Sequence, residues 1–222
     1  FDGVEQFLLS EIEIQDSLEN TLTVGLEGTG SGNITIDGLD IRDGTYNLEV
    51  YGGTTSIINS LGAGAGLRMN AGDVLIHAQG EDSDLTVEAD ITRSASVAGI
   101  LHLRADRSID FNNSGNITAS GSALHVNVNA DRDANQFGYV YLNNVSFGTN
   151  GGSVVIGGGT DPLTMAAYGT DIVDDGVTIE GSTIVTGAGD IVIYGQGRTV
   201  ANIADQVGVS VFDSSLLDSS SG

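Results

Sequence analysis

The sequence has no cysteine, no lysine and no tryptophan, a single proline in 222 residues, and no apolar run of bilayer-spanning length. Without cysteine there is neither a disulfide to staple a small fold nor a thiolate to act as nucleophile. A membrane-spanning helix needs about 20 consecutive apolar residues, so no such helix is expected. The first residues lack a basic stretch followed by an apolar one, so the chain is expected to be a mature or excised piece. The shortage of proline says more, because the 33 glycines then fit neither collagen nor a proline-rich disordered linker. They act as punctuation, at intervals that call for many tight turns and leave little room for helices.

Positive charge is equally scarce. Seven arginines stand against 30 acidic residues, for a formal net charge of -23. Such a polyanion repels nucleic acid and anionic lipid, so neither is an expected partner and no membrane insertion is expected. The same carboxylates keep a long exposed surface soluble and offer hard oxygen ligands to divalent cations.

What is present is a rhythm of short triplets, two apolar residues flanking a third, each followed closely by Gly, Asn, Asp or Ser. Examples are Ile12-Glu13-Ile14, Leu22-Thr23-Val24, Ile34-Thr35-Ile36, Leu48-Glu49-Val50, Leu85-Thr86-Val87, Ile109-Asp110-Phe111 and Val177-Thr178-Ile179. Period two with one apolar face is a half-buried strand. Leu101, Ile109, Ile117 and Leu124 open successive segments 8, 8 and 7 residues apart, so three segments return the chain to its starting face after 23. That spacing predicts an all-β, right-handed parallel β-helix with three strands per coil and about seven to ten coils, roughly 35–50 Å long. A β-sandwich would need longer strands and more two-residue hairpin signals.

A coarser echo accompanies the triplets. Gly32, Gly72, Gly115, Gly152 and Gly189 each precede an apolar strand, 40, 43, 37 and 37 residues apart, near two short coils or one coil plus an excursion. Segments 129–138, 157–176 and 195–208 break the rhythm and are expected to bulge from the rod, where binding sites on solenoids tend to sit. No capping helix is legible at either end. Residues 1–222 are therefore expected to be one solenoid segment of a longer protein.

The run Leu124-His125-Val126-Asn127-Val128-Asn129-Ala130-Asp131-Arg132-Asp133, then Gly138-Tyr139-Val140-Tyr141-Leu142-Asn143-Asn144 and Thr149-Asn150-Gly151-Gly152-Ser153-Val154-Val155-Ile156-Gly157, resembles the repeat region of filamentous-haemagglutinin-type exoproteins. Gly187-Ala188-Gly189-Asp190-Ile191-Val192-Ile193-Tyr194-Gly195 is similar to the same group. The likeness spans about two thirds of the chain, from near Gly72 onward. It implies a secreted shaft, exported by two-partner secretion to the surface of a Gram-negative bacterium and used in adhesion, cell-to-cell contact or biofilm matrix. Implied partners are a cell-surface or matrix polysaccharide or receptor, engaged through the full-length protein, and further copies in filaments or cell-cell bridges.

No catalytic residue is assigned and an enzyme is not expected. β-Helices that cleave acidic polysaccharides use a strong base beside calcium or paired carboxylates, and among 30 acids such pairs arise freely, as at Asp82 with Asp84 and at Asp171 with Asp174 and Asp175. Binding or cleavage of polysaccharide by the segment itself is the alternative. Asp131 and Asp133 are the calcium candidates, because Asp-x-Asp sets two carboxylates on one side of an extended turn. His77, His102 and His125, spaced 25 and 23 apart, are expected to stack as an outward ladder. Tyr139, Tyr141, Tyr168 and Tyr194 offer aromatic faces on which sugars stack.

Overall fold

The computed structural model describes residues 6–9, 21–28, 32–60, 62, 64–112, 114–198 and 206–220. Every regular element among them is a strand. The triplet Ile12-Glu13-Ile14 lies outside the described residues. Strands β1 (Gln6–Leu9) and β2 (Thr21–Val24) precede six complete turns, and each turn visits three sheets in the same order. The turns are β3 (Asn33–Asp37), β4 (Leu39–Asp40), β5 (Asn47–Gly52); then β6 (Thr55–Ile58), β7 (Leu67–Met69), β8 (Val74–Ala78); then β9 (Leu85–Val87), β10 (Ile91–Ala95), β11 (Gly99–Ala105). They continue with β12 (Ile109–Asn112), β13 (Ile117–Gly121), β14 (Leu124–Ala130), and with β15 (Val140–Asn143), β16 (Ser146–Gly148), β17 (Val154–Gly158). After the two-residue β18 (Ala167–Tyr168) comes the sixth turn, β19 (Val177–Glu180), β20 (Thr183–Val185), β21 (Ile191–Ile193), followed by β22 (Gly195–Gln196), β23 (Val209–Phe212) and β24 (Leu216–Asp218).

The first strands of the turns form sheet A, the second strands sheet C and the third strands sheet B, and all neighbours within these sheets run parallel. This is a three-sided parallel β-solenoid. It has six complete turns where the 23-residue period implied seven to ten, because all but the first of the turns are longer than that period. Stacked partners Ile34 and Thr55 are 21 residues apart, Ile109 and Val140 are 31, and Val140 and Val177 are 37. Corners absorb the difference, while strands stay at the ~4.8 Å spacing of a ladder.

Register explains the core. On sheet A, Ile36, Ile57, Val87, Phe111, Leu142 and Ile179 follow one another up one column, all with no solvent exposure. On sheet B the matching column is Val50, Ile76, Leu103, Val128 and Ile156. On sheet C it is Leu39, Leu67, Ile91, Ile117, Phe147 and Ile184. Where sheet B turns toward sheet A the column shrinks to Gly52, Ala78, Ala105, Ala130 and Gly158, because the corner leaves no room for larger side chains. Phe111 and Phe147 meet edge to face across the interior, ring centroids 5.0 Å apart. Each buried aliphatic contributes about 1.5–3 kcal/mol relative to exposure, and no single turn could hide its own.

The glycine echo has a narrower meaning than its spacing suggested. Gly32 introduces a sheet A strand, Gly72 a sheet B strand and Gly115 a sheet C strand, so these three do not stack. Gly152 and Gly189 do, one turn apart at the corner from sheet C to sheet B. There Thr149-Asn150-Gly151-Gly152 and Thr186-Gly187-Ala188-Gly189 repeat one device. The buried threonine hydroxyl donates to the carbonyl of the last glycine, the two middle residues take positive φ, and a Cβ on either last glycine would overlap backbone of the turn beneath.

One inward strand position among the described residues is charged. Arg93, between Met69 and Ala119 in the sheet C ladder, is 2% exposed; its Nη2 donates to the carbonyls of Val97 at 2.8 Å and Ala71 at 3.2 Å, while Nε and Nη1 have no partner.

Truncating Phe147→Ala should destabilise the chain by about 3–5 kcal/mol, measured as a lowered urea midpoint. Thr118→Ala, outward and exposed on the neighbouring strand, should cost under about 1 kcal/mol.

Candidate functional site

The outward residues of sheet A form a column of their own: Thr35, Ser56, Thr86, Asp110, Tyr141, Thr178 and Ser210. Asp110 sits at its middle and is half-buried. The Tyr139 hydroxyl, from the chain entering the next turn, donates to Asp110 Oδ2 at 3.1 Å. One turn below, Arg107 grips Asp84 with Nε on Oδ1 at 2.7 Å and Nη2 on Oδ2, and the Ser108 amide adds a bond to Oδ1 at 3.0 Å. One turn above, the Tyr141 hydroxyl donates to Glu180.

Burial is the main force on Asp110 and Tyr139. It pushes the Asp110 carboxyl up to about 6 against the Tyr139 hydrogen bond, which lowers it, with the Asp84 charge adding to the rise. The Tyr139 phenol is also pushed up, first by burial and then by Asp110. Tyr141 rises to about 12, chiefly because it donates to Glu180. Asp110 can therefore give or take a proton close to neutral pH. Glycoside hydrolysis needs a second carboxylate free to activate water or attack. The two flanking carboxylates are engaged, Asp84 by Arg107 and Glu180 by Tyr141.

The residues singled out from sequence lie elsewhere. Asp131 is 1% exposed at the corner after β14, in a left-handed conformation of φ 49°, and its Oδ1 accepts the amides of Gln136 at 2.9 Å and Phe137 at 3.1 Å. It folds its own loop, and burial lifts its carboxyl to about 6. Asp133 is exposed and bonds within the same loop, to the Asn135 side-chain amide at 2.8 Å. Among the described residues, no group of three or more His, Asp or Glu side chains stands together as a metal cluster would. Asp175 accepts from the Val207 amide and the Ser210 hydroxyl, and Asp82 is an exposed neighbour of Arg107 at 3.5 Å.

The histidines do not form a ladder. His77 lies opposite Arg104, and His102 opposite Leu75 and Asn127, because true vertical neighbours here are 27 and 25 residues apart. Spacings of 25 and 23 fall two short each time, which keeps all three outward on sheet B but shifts each by one outward position. His77 Nε2 pairs with Asp106 Oδ1 at 2.9 Å, His102 Nδ1 with the Asn127 amide at 3.1 Å, and His125 Nδ1 with the Ser153 amide at 3.2 Å. Of the tyrosines, Tyr139 and Tyr141 are tied to carboxylates, Tyr168 is half-buried, and Tyr194 is 44% exposed.

The interruptions at 129–138 and 157–176, and residues 195–198 of the one at 195–208, whose residues 199–205 lie outside the described residues, leave the corner from sheet B to sheet A and pile on one another. Gly159 donates to the Asp131 carbonyl at 3.0 Å, Gly138 and Tyr168 exchange backbone bonds, and β18 pairs with β22. No family model, curated protein or solved structure matches the chain.

Because burial raises the folded-state pKa of Asp110 and Asp131 above the ~4 of an unfolded chain, the folded form binds their protons more tightly. The resulting stability is complete below that unfolded value and is lost as pH climbs through about 6. The melting temperature should therefore fall between pH 5 and pH 7.5, and the fall should shrink in Asp110→Asn. Since Asp131 spends its oxygen on loop amides, melting curves in millimolar calcium and in chelator should coincide.

Proposed function

We propose that this chain is a length of stiff shaft in a large secreted adhesin of the filamentous-haemagglutinin type, carried to the surface of a Gram-negative bacterium by two-partner secretion. Its work there is mechanical. It holds adhesive modules away from the cell for attachment, cell-to-cell contact or biofilm matrix. The observation that carries this reading is the uninterrupted stack: three parallel sheets and their aliphatic columns run through every complete turn. The two stretches most similar to the exoprotein repeats, around Val154-Val155-Ile156 and Ile191-Val192-Ile193, lie directly over one another in register, as successive repeats of a shaft do.

In such a part geometry matters more than residue identity. Deleting residues 34–54 removes one turn and brings β1 against the strand beginning at Thr55, since Ile34 and Thr55 are stacked partners. In the producing bacterium the shortened protein should still reach the surface and support adhesion at the wild-type level, scored by surface labelling and cell attachment. Phe147→Asp, which puts a charge into the core, should abolish surface display. Loss of attachment by a fully displayed deletion protein, or retention of the wild-type chain inside the cell, would overturn the shaft reading.

A further inference from the structure

Sheet B presents a face unlike the rest of this acidic chain. Its central strands β11 and β14 are seven residues long and contain no acidic residue. Their outward side chains are Ile100, His102 and Arg104 on one, and His125, Asn127 and Asn129 on the other. Arg132 follows at the corner, close enough for its charge to act on Arg104. Among the described residues neither arginine makes an ion pair, whereas Arg42, Arg68 and Arg107 all do. Burial lowers the pKa of Arg104 and of His102, and each arginine disfavours the charge on its neighbour.

The acids that border this face are engaged. Asp73 Oδ1 accepts the Ile100 amide at 2.8 Å, Asp106 holds His77 and the Gly80 amide, and Glu49 accepts from Tyr51 and Thr23. Glu27 attracts Arg104 only at longer range. In the ladder Arg104 lies between His77 and Asn129, which are 9% and 3% exposed. His77 Nδ1 and Asn129 Oδ1 both lack a hydrogen-bond partner. Because His102 and His125 accept through Nδ1, their Nε2 atoms are left as donors in the neutral form.

Beyond the donors the outward column over Asn127 turns apolar. Val155, 6% exposed, stacks over Asn127 and Val192 over Val155, while Gly157, over Asn129, is covered by the backbone of Pro162 and Met165. Tyr194 stands 44% exposed at the end of β21.

We infer that this face binds an acidic saccharide, with the carboxylate of a uronic-acid unit on Arg104 and Arg132 and the sugar hydroxyls on His102, His125 and Asn127. Guanidinium groups that make no close ion pair match a carboxylate. The imidazole and amide donors match sugar hydroxyls, which polyglutamate lacks. The shaft reading does not require this site, which would make the segment itself adhesive.

The probe is oligogalacturonate, titrated calorimetrically into the whole chain. Saturable binding is expected. Arg104→Gln should weaken it at least about tenfold, the usual worth of a charge-assisted contact. Arg132→Gln should weaken it as well, and supplies the reading if the first variant melts abnormally. Arg42→Gln, whose arginine is paired with Asp40 away from this face, should bind as wild type. A neutral oligoglucose and polyglutamate should not bind. The site is overturned if oligogalacturonate shows no saturation at millimolar concentration, if Arg42→Gln is as impaired as Arg104→Gln, or if either control ligand binds equally well. All of these residues survive in the 34–54 deletion, so attachment and sugar binding fail independently.

Discussion

Everything in this molecule depends on one constraint: inward side chains must lie directly above their counterparts in the neighbouring turn. A single turn has too little apolar surface to exclude water, and burial becomes complete only when Ile57, Val87, Phe111 and Leu142 make a column. Side chains alternate with period two, so a slip of one residue would send the whole inward set to solvent. Length variation is therefore expelled from the strands. Turns differ by up to 16 residues, as between Ile34 to Thr55 and Val140 to Val177, and none of this difference disturbs the ladder. The even offset of the three histidines obeys the same rule, since a shift of two keeps a side chain on its face.

Sheets A and B were legible because their inward positions are nearly all Ile, Leu, Val or Phe, giving the triplet its signature. Sheet C was mostly missed. Its strands are short, as in Leu39–Asp40 and Thr183–Val185, and β10 shows an inward arginine where the pattern calls for an aliphatic. Arg93 makes physical sense only in three dimensions, where its guanidinium reaches two corner carbonyls that a shorter apolar side chain would leave without it. The excursions were found, but not their mutual stacking. Each one carries backbone donors and acceptors that must be satisfied, and the nearest supply is the excursion on the next turn.

The chemistry was less legible than the fold, for a geometric reason. In a solenoid the partners of a residue come from other turns. Tyr139 and Asp110 are 29 residues apart, Tyr141 and Glu180 are 39, and Arg107 and Asp84 are 23. A search for nearby pairs selects loops such as Asp131-Arg132-Asp133, where the acids are close in sequence but serve the local turn. Asp110 was hidden as the middle residue of a strand triplet. The basic face of sheet B was hidden because His102, Arg104, His125 and Asn127 become neighbours only once the register is known.

Register also shows how so acidic a chain tolerates stacking. Two carboxylates directly opposite at ~4.8 Å would repel by about 3 kcal/mol at an effective dielectric of 20, and a column of them would undo the gain from burial. Among the described strands no acidic residue is paired with another acidic residue. Asp110 lies between Thr86 and Tyr141, Glu49 between Thr23 and Leu75, Glu180 between Asn143 and Phe212, and Asp40 opposite Arg68. Many of the remaining acids stand at corners, such as Asp84, Asp106, Asp131 and Asp175, where backbone amides, a histidine or an arginine receives them. The same distribution that spares the ladder from repulsion leaves most of the described strands free of acids, and in sheet B the acid-free β11 and β14 also carry the outward Arg104, His102 and His125.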